Sequence, residues 1–290
     1  MFKINNARKD SKQIQNEIEK LEVELFLEGL YQHYGFDFRN YAYSSLKRRL
    51  SLRANLENVK SISELQGKVF REPEIMKRLL NDLSINVTEM YRDPSFFKAF
   101  RTEVVPHLRS EPSIRIWHAG CSSGEEVYSM AILLHEEGLL EKSQIYATDM
   151  NETILEKAID GEISIRHMKS YTKNYQQSGG EKEFSEYYTV NDDYVSIKPF
   201  LKENIVFAHH NLVTDHSFNE FHVIVCRNVF IYFNAELKNR VYHLFNESLS
   251  DNGFLCFGNK ETITDRDALT FFKEVDPIEK IYRKESFKKS

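Results

Sequence analysis

Apolar residues recur at helical spacing over residues 17–34. Ile18, Leu21 and Leu25 form one stripe, and Leu27, Leu30, Tyr31 and Tyr34 continue it on an adjacent line. Gly35 breaks the pattern. Ser44 is placed to cap a second helix through Leu46, Leu50 and Leu52, Ser63 to open a third, and Pro73 to start a fourth that ends near Leu83. Residues 17–83 therefore read as all-helical, behind a polar segment at 1–16. After Arg92 the pattern changes. Short apolar runs at 114–118, 144–148, 205–209, 222–226 and 253–258 alternate with amphipathic helices such as 125–137 and 152–159. That alternation predicts an α/β fold with a mostly parallel sheet covered on both faces. Residues 163–199 interrupt it with two short β runs around Asn191-Asp-Asp193, which predict a small antiparallel hairpin insert.

Composition narrows the class. The 290 residues are 41% hydrophobic and 29% charged with a net charge of −5, so no global positive field points to nucleic acid. The longest apolar runs are far too short to span a bilayer, and the polar N-terminus lacks the apolar core of a signal peptide. A cytoplasmic protein without membrane insertion is expected, and a monomer. Cys121, Cys226 and Cys256 are widely spaced, which fits reduced thiols and no metal site.

The candidate chemistry gathers at strand ends. Ile114-Arg-Ile-Trp-His-Ala-Gly-Cys-Ser-Ser-Gly-Glu-Glu126 runs from a strand through two glycines into a helix carrying two acids. An open α/β sheet builds a nucleoside site in this way. Gly120 and Gly124 lack the third glycine of a dinucleotide fingerprint, and Glu125 and Glu126 would repel a pyrophosphate. They would not repel the sulfonium and ammonium of S-adenosylmethionine. Asp149 ends the next strand, about two dozen residues after the glycine loop, where an acid accepts both ribose hydroxyls; its bland alternative is a helix cap. In Asn86-Val-Thr-Glu-Met-Tyr-Arg92, Asn86 and Thr88 suit the cofactor's polar end, and Arg92 can grip a carboxylate at two points. From composition alone, Arg92 reads more readily as a surface arginine at the start of a helix.

Cys226-Arg-Asn228 puts two polar residues directly after a buried strand, a placement that needs partners. Tyr232 follows within reach of a reacting centre, or packs in the core. Asn211, before Leu212, can read an adenine edge or simply make a turn. The adjacent His209 and His210 point to opposite faces of a strand and do not suggest a metal. Lys47, Arg48, Arg49 and Arg53 make a basic patch on the second helix, able to dock an acidic surface; without interleaved aromatics it does not suit single-stranded nucleic acid.

With these motifs in order, the chain resembles the CheR family of chemotaxis receptor glutamate methyltransferases. The marks are Asn86-Val-Thr88 with Arg92, Ala119-Gly-Cys-Ser-Ser-Gly-Glu-Glu126 with Tyr128-Ser129, Ala147-Thr-Asp149, and Cys226-Arg-Asn228 with Ile231-Tyr-Phe233. The resemblance implies a helical receptor-docking domain at 17–83 and a linker at 84–100 that contributes to the cofactor site. It implies a Rossmann-like methyltransferase domain at 101–290 with a β-subdomain inserted near 165–200. It implies that Asn86, Thr88, Arg92, Gly120, Glu126, Asp149, Asn211, Leu212, Arg227 and Asn228 line the S-adenosylmethionine site. Arg92 and Tyr232 would stand nearest the transferred methyl, with S-adenosylhomocysteine as product. The substrate would be the cytoplasmic coiled coil of a chemoreceptor, docked on Lys47, Arg48, Arg49 and Arg53. Two positions depart from the family's pattern: Met90-Tyr91 where two aromatics are common, and Val127 where proline is common. A different protein substrate in another signalling pathway, or a silent module that binds S-adenosylhomocysteine, remain the alternatives.

Overall fold

The structure is a computed structural model, and it describes residues 11–84 and 88–285. The chain divides into two compact units, Met1–Ile85 with Tyr232–Asn234, and Asn86–Ile231 with Ala235–Ser290. The N-terminal ten residues and Asn86 lie outside the described residues.

The first unit is helical, with α1 (Ser11–Tyr34), α2 (Tyr43–Leu56), α3 (Ile62–Val69) and α4 (Pro73–Leu83). Gly35 ends α1 in a left-handed conformation at φ +78°, the backbone state glycine adopts without a Cβ penalty. Two caps differ from the expected ones. α2 begins one residue before Ser44, with Ala42 at its N-cap and no side-chain cap. At α3 the cap is Ser61, whose hydroxyl accepts the Glu64 N–H at 3.1 Å, so Ser63 sits inside the helix. Pro73 opens α4 as expected, at a position where its missing N–H costs nothing. The buried side chains include Val23, Phe26, Leu30, Leu46, Leu50, Leu65, Val69, Ile75 and Leu79. Tyr232–Asn234 is strapped to this unit by main-chain bonds. The Ala42 N–H donates to the Tyr232 carbonyl at 2.8 Å, and the Asn234 N–H to the Asn40 carbonyl at 2.9 Å.

The second unit begins with α5 (Pro94–Ala99) and α6 (Val105–Leu108), then β1 (Ile114–Ala119), α7 (Glu125–Glu136), β2 (Ser143–Asp149) and α8 (Glu152–Asp160). The insert holds β3 (Glu162–Ser164), α9 (Met168–Gln177), β4 (Tyr188–Val190) and β5 (Tyr194–Ile197). After it come α10 (Pro199–Lys202), β6 (Ile205–His209), β7 (Phe221–Cys226), α11 (Ala235–Ser248), β8 (Leu249–Phe257), α12 (Ala268–Phe271), β9 (Phe272–Asp276) and β10 (Ile281–Lys284). The main sheet has the order β6-β2-β1-β7-β8-β10-β9, parallel from β6 to β8, with β10 antiparallel to both its neighbours. This is the Rossmann-like α/β sheet expected. Because β1 pairs with β2 on one side and β7 on the other, chain order reverses there, and a crevice opens at the carboxyl ends of β1, β2, β6 and β7.

The insert is more than the expected hairpin. β4 and β5 do form one around residues 191–193, but β3 adds a third strand to β5, giving the order β3-β5-β4. The helix α9 was not anticipated. Its buried line is Met168, Tyr171 and Tyr175, two of three being tyrosines, and tyrosine favours strands when read by propensity alone. The insert is anchored by Glu136 at the end of α7. Its carboxylate accepts from the Tyr187 hydroxyl at 2.9 Å and from the Tyr175 hydroxyl, and it pairs with Arg101.

Candidate functional site

Every loop of the crevice is built by local backbone demands. Gly120 has φ +83°, and a Cβ there would come within 2.6 Å of Val229 Cγ2. Gly124, at φ +92°, forms the N-cap of α7. Between them the chain turns back on β2: the N–H groups of Gly120 and Cys121 donate to the Thr148 carbonyl at 2.8 and 2.9 Å. The Ser122 N–H then donates to Asp149 Oδ2 at 2.9 Å, while the Asn151 N–H donates to Oδ1 at 3.0 Å. Asp149 is therefore a brace for the glycine loop. The cap of α8 is Asn151, whose side chain accepts the Thr153 N–H. Burial raises the Asp149 carboxyl above its ordinary range, opposed by the N–H groups of Ser122, Asn151 and Met150. The two carboxylate oxygens together offer about four acceptor positions, so the three backbone N–H groups leave room for a further donor.

The two acids of α7 have separate environments. Glu126 sits between Arg227 and His118: its Oε2 is 2.7 Å from Arg227 Nη1 and its Oε1 is 3.3 Å from His118 Nδ1. Burial disfavours its charge, but Arg227 and His118 outweigh that and hold the carboxyl at about 2. Glu125 instead accepts the Ser123 hydroxyl at 2.7 Å, and burial pushes its carboxyl up. It borders a cavity of about 460 Å³ that is also lined by Thr88, Ser123, Lys157, His167 and Tyr171.

Arg227 organises the other wall. Its Nη2 pairs with Asp93 Oδ2 at 2.7 Å, its Nη1 also donates to the Arg92 carbonyl at 3.3 Å, and its guanidinium lies 4.2 Å from the Phe96 ring centre. Residues 90–93 are held from both sides, since the Tyr91 N–H donates to Ser129 Oγ at 2.9 Å and Asn174 donates to the Met90 carbonyl at 3.1 Å. Tyr91 and Asp93 have φ of 52° and 54°. Left-handed non-glycine residues cost about 1–3 kcal/mol each and persist only where surrounding bonds enforce them. Arg92 sits between the two, half-buried.

Asn228 takes a left-handed conformation at φ 64° and donates its N–H to Glu261 Oε2 at 2.7 Å. Glu261 also accepts from the Gly258 and Ile231 N–H groups at 2.8 and 3.2 Å. It is 5% exposed and holds the whole turn after β7. At β6, the register sets Asp149 beside His209. The Asn211 side chain accepts the Val213 N–H at 2.9 Å and its own N–H donates to Asp215, so Asn211 makes a turn; Leu212 follows it, buried.

The structure thus brings Thr88, Arg92, Gly120, Glu126, Asp149, Asn211, Leu212, Arg227 and Asn228 into the second unit, around the carboxyl edge of its sheet. Tyr232 belongs to the first unit. There Arg49 stacks on its ring at 4.9 Å and donates to the Leu83 carbonyl. This corrects the reading of the basic patch. Arg49 and Arg53 are 6% and 8% exposed. Arg53 pairs with Asp82 at 2.6 Å and Glu57 at 3.1 Å. The face they share points inward, where Asp82, Glu57 and the Leu83 carbonyl accept from the two guanidiniums. Arg48 is exposed, and Lys47, half-buried, pairs with Glu19 at 2.7 Å. His118 and Glu261 were not singled out from sequence. The available signals were a histidine inside a buried apolar strand and an acid three residues after Gly258.

Among the described residues no helix is long and apolar enough to cross a membrane. Ser122 Oγ and Arg227 Nε, both buried, have no hydrogen-bond partner among them. Two braced carboxylates with spare lone pairs and these unmatched polar atoms, gathered at the carboxyl edge of β1, β2 and β7, fit a cofactor bearing ribose hydroxyls, an ammonium and a carboxylate.

Residues 86–276 match the CheR methyltransferase SAM-binding domain, and residues 21–84 the all-alpha domain of the same family. A Pseudomonas putida protein provisionally named methyltransferase Cher3 is 45% identical over 91% of this chain and 97% of its own length. A chemotaxis protein methyltransferase of Listeria monocytogenes is 32% identical over 79% of this chain and 85% of its own. Among solved structures, a SAM-dependent methyltransferase from Geobacter sulfurreducens with S-adenosylhomocysteine aligns with TM-score 0.34 at 14% identity, covering 66% of this chain and 60% of that one. The chain belongs to the CheR methyltransferase family and is a methyltransferase that uses S-adenosylmethionine.

Proposed function

We propose that the chain methylates glutamate side chains on the cytoplasmic coiled coil of a chemoreceptor, as a protein-glutamate O-methyltransferase. The observation that carries this reading is the ordered match to both domains of the CheR family, together with relatives named as chemotaxis protein methyltransferases. It entails a cytoplasmic location.

S-adenosylmethionine supplies a methyl group carried on a sulfonium. A receptor glutamate, with a pKa of roughly 4.3, is already ionised near neutral pH, so no general base is required. Its carboxylate oxygen displaces the methyl in line: an O–CH₃ bond forms, the C–S bond breaks, and the electron pair stays on sulfur. The protein's task is alignment and exclusion of water. Arg92 would orient the incoming carboxylate, and it must not hold it too tightly, because the carboxylate's charge is lost on the way to the ester. Asp149 would accept from the ribose with the acceptor capacity that its backbone donors leave over. Glu126 would face the ammonium, and Asn86, Thr88, Gly120, Asn211, Leu212, Arg227 and Asn228 would complete the site. Residues 17–83 would dock the receptor through Arg48 and Lys47, with Arg49 and Arg53 acting from inside the unit.

The test is transfer of labelled methyl from S-adenosylmethionine to receptor cytoplasmic fragments, followed by mild base. Label that is released by base as methanol supports the glutamyl ester. Base-stable label, or cofactor binding without labelled receptor, rules out the glutamate reading while leaving the methyltransferase family untouched.

A further inference from the structure

α1 is apolar on two opposite sides. Val23, Phe26, Leu27 and Leu30 are buried, at most 5% exposed, on the side that packs inside the first unit. Ile14, Ile18, Leu21 and Leu25 are 46%, 47%, 54% and 55% exposed. A helix turns about 100° per residue, so these four lie within roughly 60° of one another and opposite the buried four. A surface helix ordinarily shows one apolar stripe. The second stripe has steps of four, three and four residues, which is the d-a-d-a spacing of a coiled-coil seam. It ends at Leu25, because the next two seam positions are Glu28 and Gln32, hydrogen-bonded to each other at 2.9 Å.

The flanks of the seam decide what can lie on it. The g positions are Glu17 and Glu24, and the e positions Gln15 and Glu22. Lys20, the nearby cation, pairs with Glu24 at 3.7 Å and sits outside these positions. A second copy of the same helix would set Glu17 against Glu22 if parallel, and glutamates against glutamates if antiparallel, which opposes pairing. About 18 Å of seam also buries far less than the roughly 800 Å² per partner of a stable interface, so charge complementarity has to supply specificity.

We infer that the Ile14, Ile18, Leu21 and Leu25 stripe docks an α-helical segment of another protein, one whose own apolar seam is flanked by lysine or arginine. This surface is distinct from the basic side of α2 and does not depend on which group the enzyme methylates.

The probe is a labelled three-heptad peptide with Leu at a and d and Lys at e and g, whose like-charged flanks keep it from pairing with itself. It is titrated into the full chain by fluorescence anisotropy, beside the same peptide with Glu at e and g. Saturable binding of the Lys-flanked peptide is expected, weakening with salt, with the Glu-flanked peptide about tenfold or more weaker. Ile18→Glu/Leu21→Glu should weaken binding of the Lys-flanked peptide by a similar factor, with thermal midpoint and S-adenosylmethionine titration unchanged. Glu17→Lys/Glu24→Lys should reverse the preference between the peptides, and it tests the same surface should the first variant misfold. Binding of neither peptide, equal binding of both, or full retention by Ile18→Glu/Leu21→Glu overturns the proposal. So does a dimer in sedimentation velocity that the same variant dissolves, which would make a second copy the occupant.

Discussion

Glu126 Oε2 and Arg227 Nη1 stand 2.7 Å apart, with their side chains 17% and 1% exposed. The pair joins the first turn of the helix after the glycine loop to the turn after β7, so it closes the two sides of the crevice onto each other. Asp93 on the far side of the same guanidinium extends the chain of charges to the segment carrying Arg92.

This pair makes an acid-stability prediction. Glu126 has a folded pKa of about 2, below its ordinary 4.5. A depressed carboxyl contributes stability above its unfolded pKa and loses it as pH falls toward the folded value. The contribution, of order 3 kcal/mol at neutral pH, should fade between about pH 5 and pH 2. Glu126→Gln should therefore lower the urea midpoint clearly at pH 7, and the gap from the unaltered protein should narrow by pH 3. A gap that stays constant with pH would mean that the carboxylate's charge is not what holds the crevice closed.

Asp149 carries a second expectation. Its carboxylate braces the glycine loop and is proposed to hold the ribose, so Asp149→Ala should weaken S-adenosylmethionine binding about tenfold or more, equivalent to losing one or two charge-assisted hydrogen bonds of about 1.5–3 kcal/mol each. Because burial raises this carboxyl, cofactor affinity of the unaltered protein should begin to fall at a pH above the usual aspartate range as pH is lowered. Calorimetry checks both, and unchanged affinity in Asp149→Ala removes the ribose role.

Much of this was legible because it follows from periodicity and from breaks in it. The parallel strands read as short apolar runs since both faces are covered. The glycine loop, Asp149 and the Cys226-Arg-Asn228 turn stood out as polar groups at strand ends. What escaped has physical reasons. β9 and β10 are short and carry Lys273, Glu274, Arg283 and Lys284, so an antiparallel edge pair looked like surface. α9 hid behind tyrosines. Glu261 serves backbone N–H groups 30 and 33 residues away along the chain, and no local pattern announces a partner at that distance. Arg49 and Arg53 show the limit from the other direction: their i, i+4 spacing places them on one face but does not say which way it points, and only Asp82, Glu57 and the Leu83 carbonyl turn it inward.

The inward arginines change how receptor docking has to be tested. Arg53→Glu would take this partner from Asp82, leave Glu57 with Arg78 alone and add a third carboxylate, at a cost of about 3–5 kcal/mol, so it should unfold the first unit and says nothing about docking. Arg48→Glu is the informative change, since Arg48 is exposed. It should leave the thermal midpoint within about 2 °C and cofactor affinity unaltered, because surface substitutions move stability by only about 0.5 kcal/mol, while raising the KM for receptor fragments severalfold at low salt. A KM that does not move assigns docking to another surface.

Arg92 lies in a segment whose main chain is held from several sides. Its carbonyl accepts from Arg227, its neighbours Tyr91 and Asp93 are held in left-handed conformations, and the Tyr91 N–H is tied to Ser129. These main-chain bonds do not use the Arg92 guanidinium and remain when it is removed. Arg92→Ala is expected to keep the thermal midpoint and to lower kcat by about a hundredfold or more, near 3 kcal/mol of barrier. Arg92→Lys should recover only part of the loss, since an ammonium keeps the charge but not the two-point grip on a carboxylate. The sign of the KM change is diagnostic. If Arg92 acts mainly by aligning the receptor carboxylate at the moment of transfer, kcat falls and KM for the receptor moves little; if it merely binds that carboxylate, KM rises and kcat is spared. Arg92→Ala with both kcat and the KM for receptor within about twofold of the unaltered enzyme would exclude both roles, because an interaction made in the transition state lowers kcat and one made on binding raises KM.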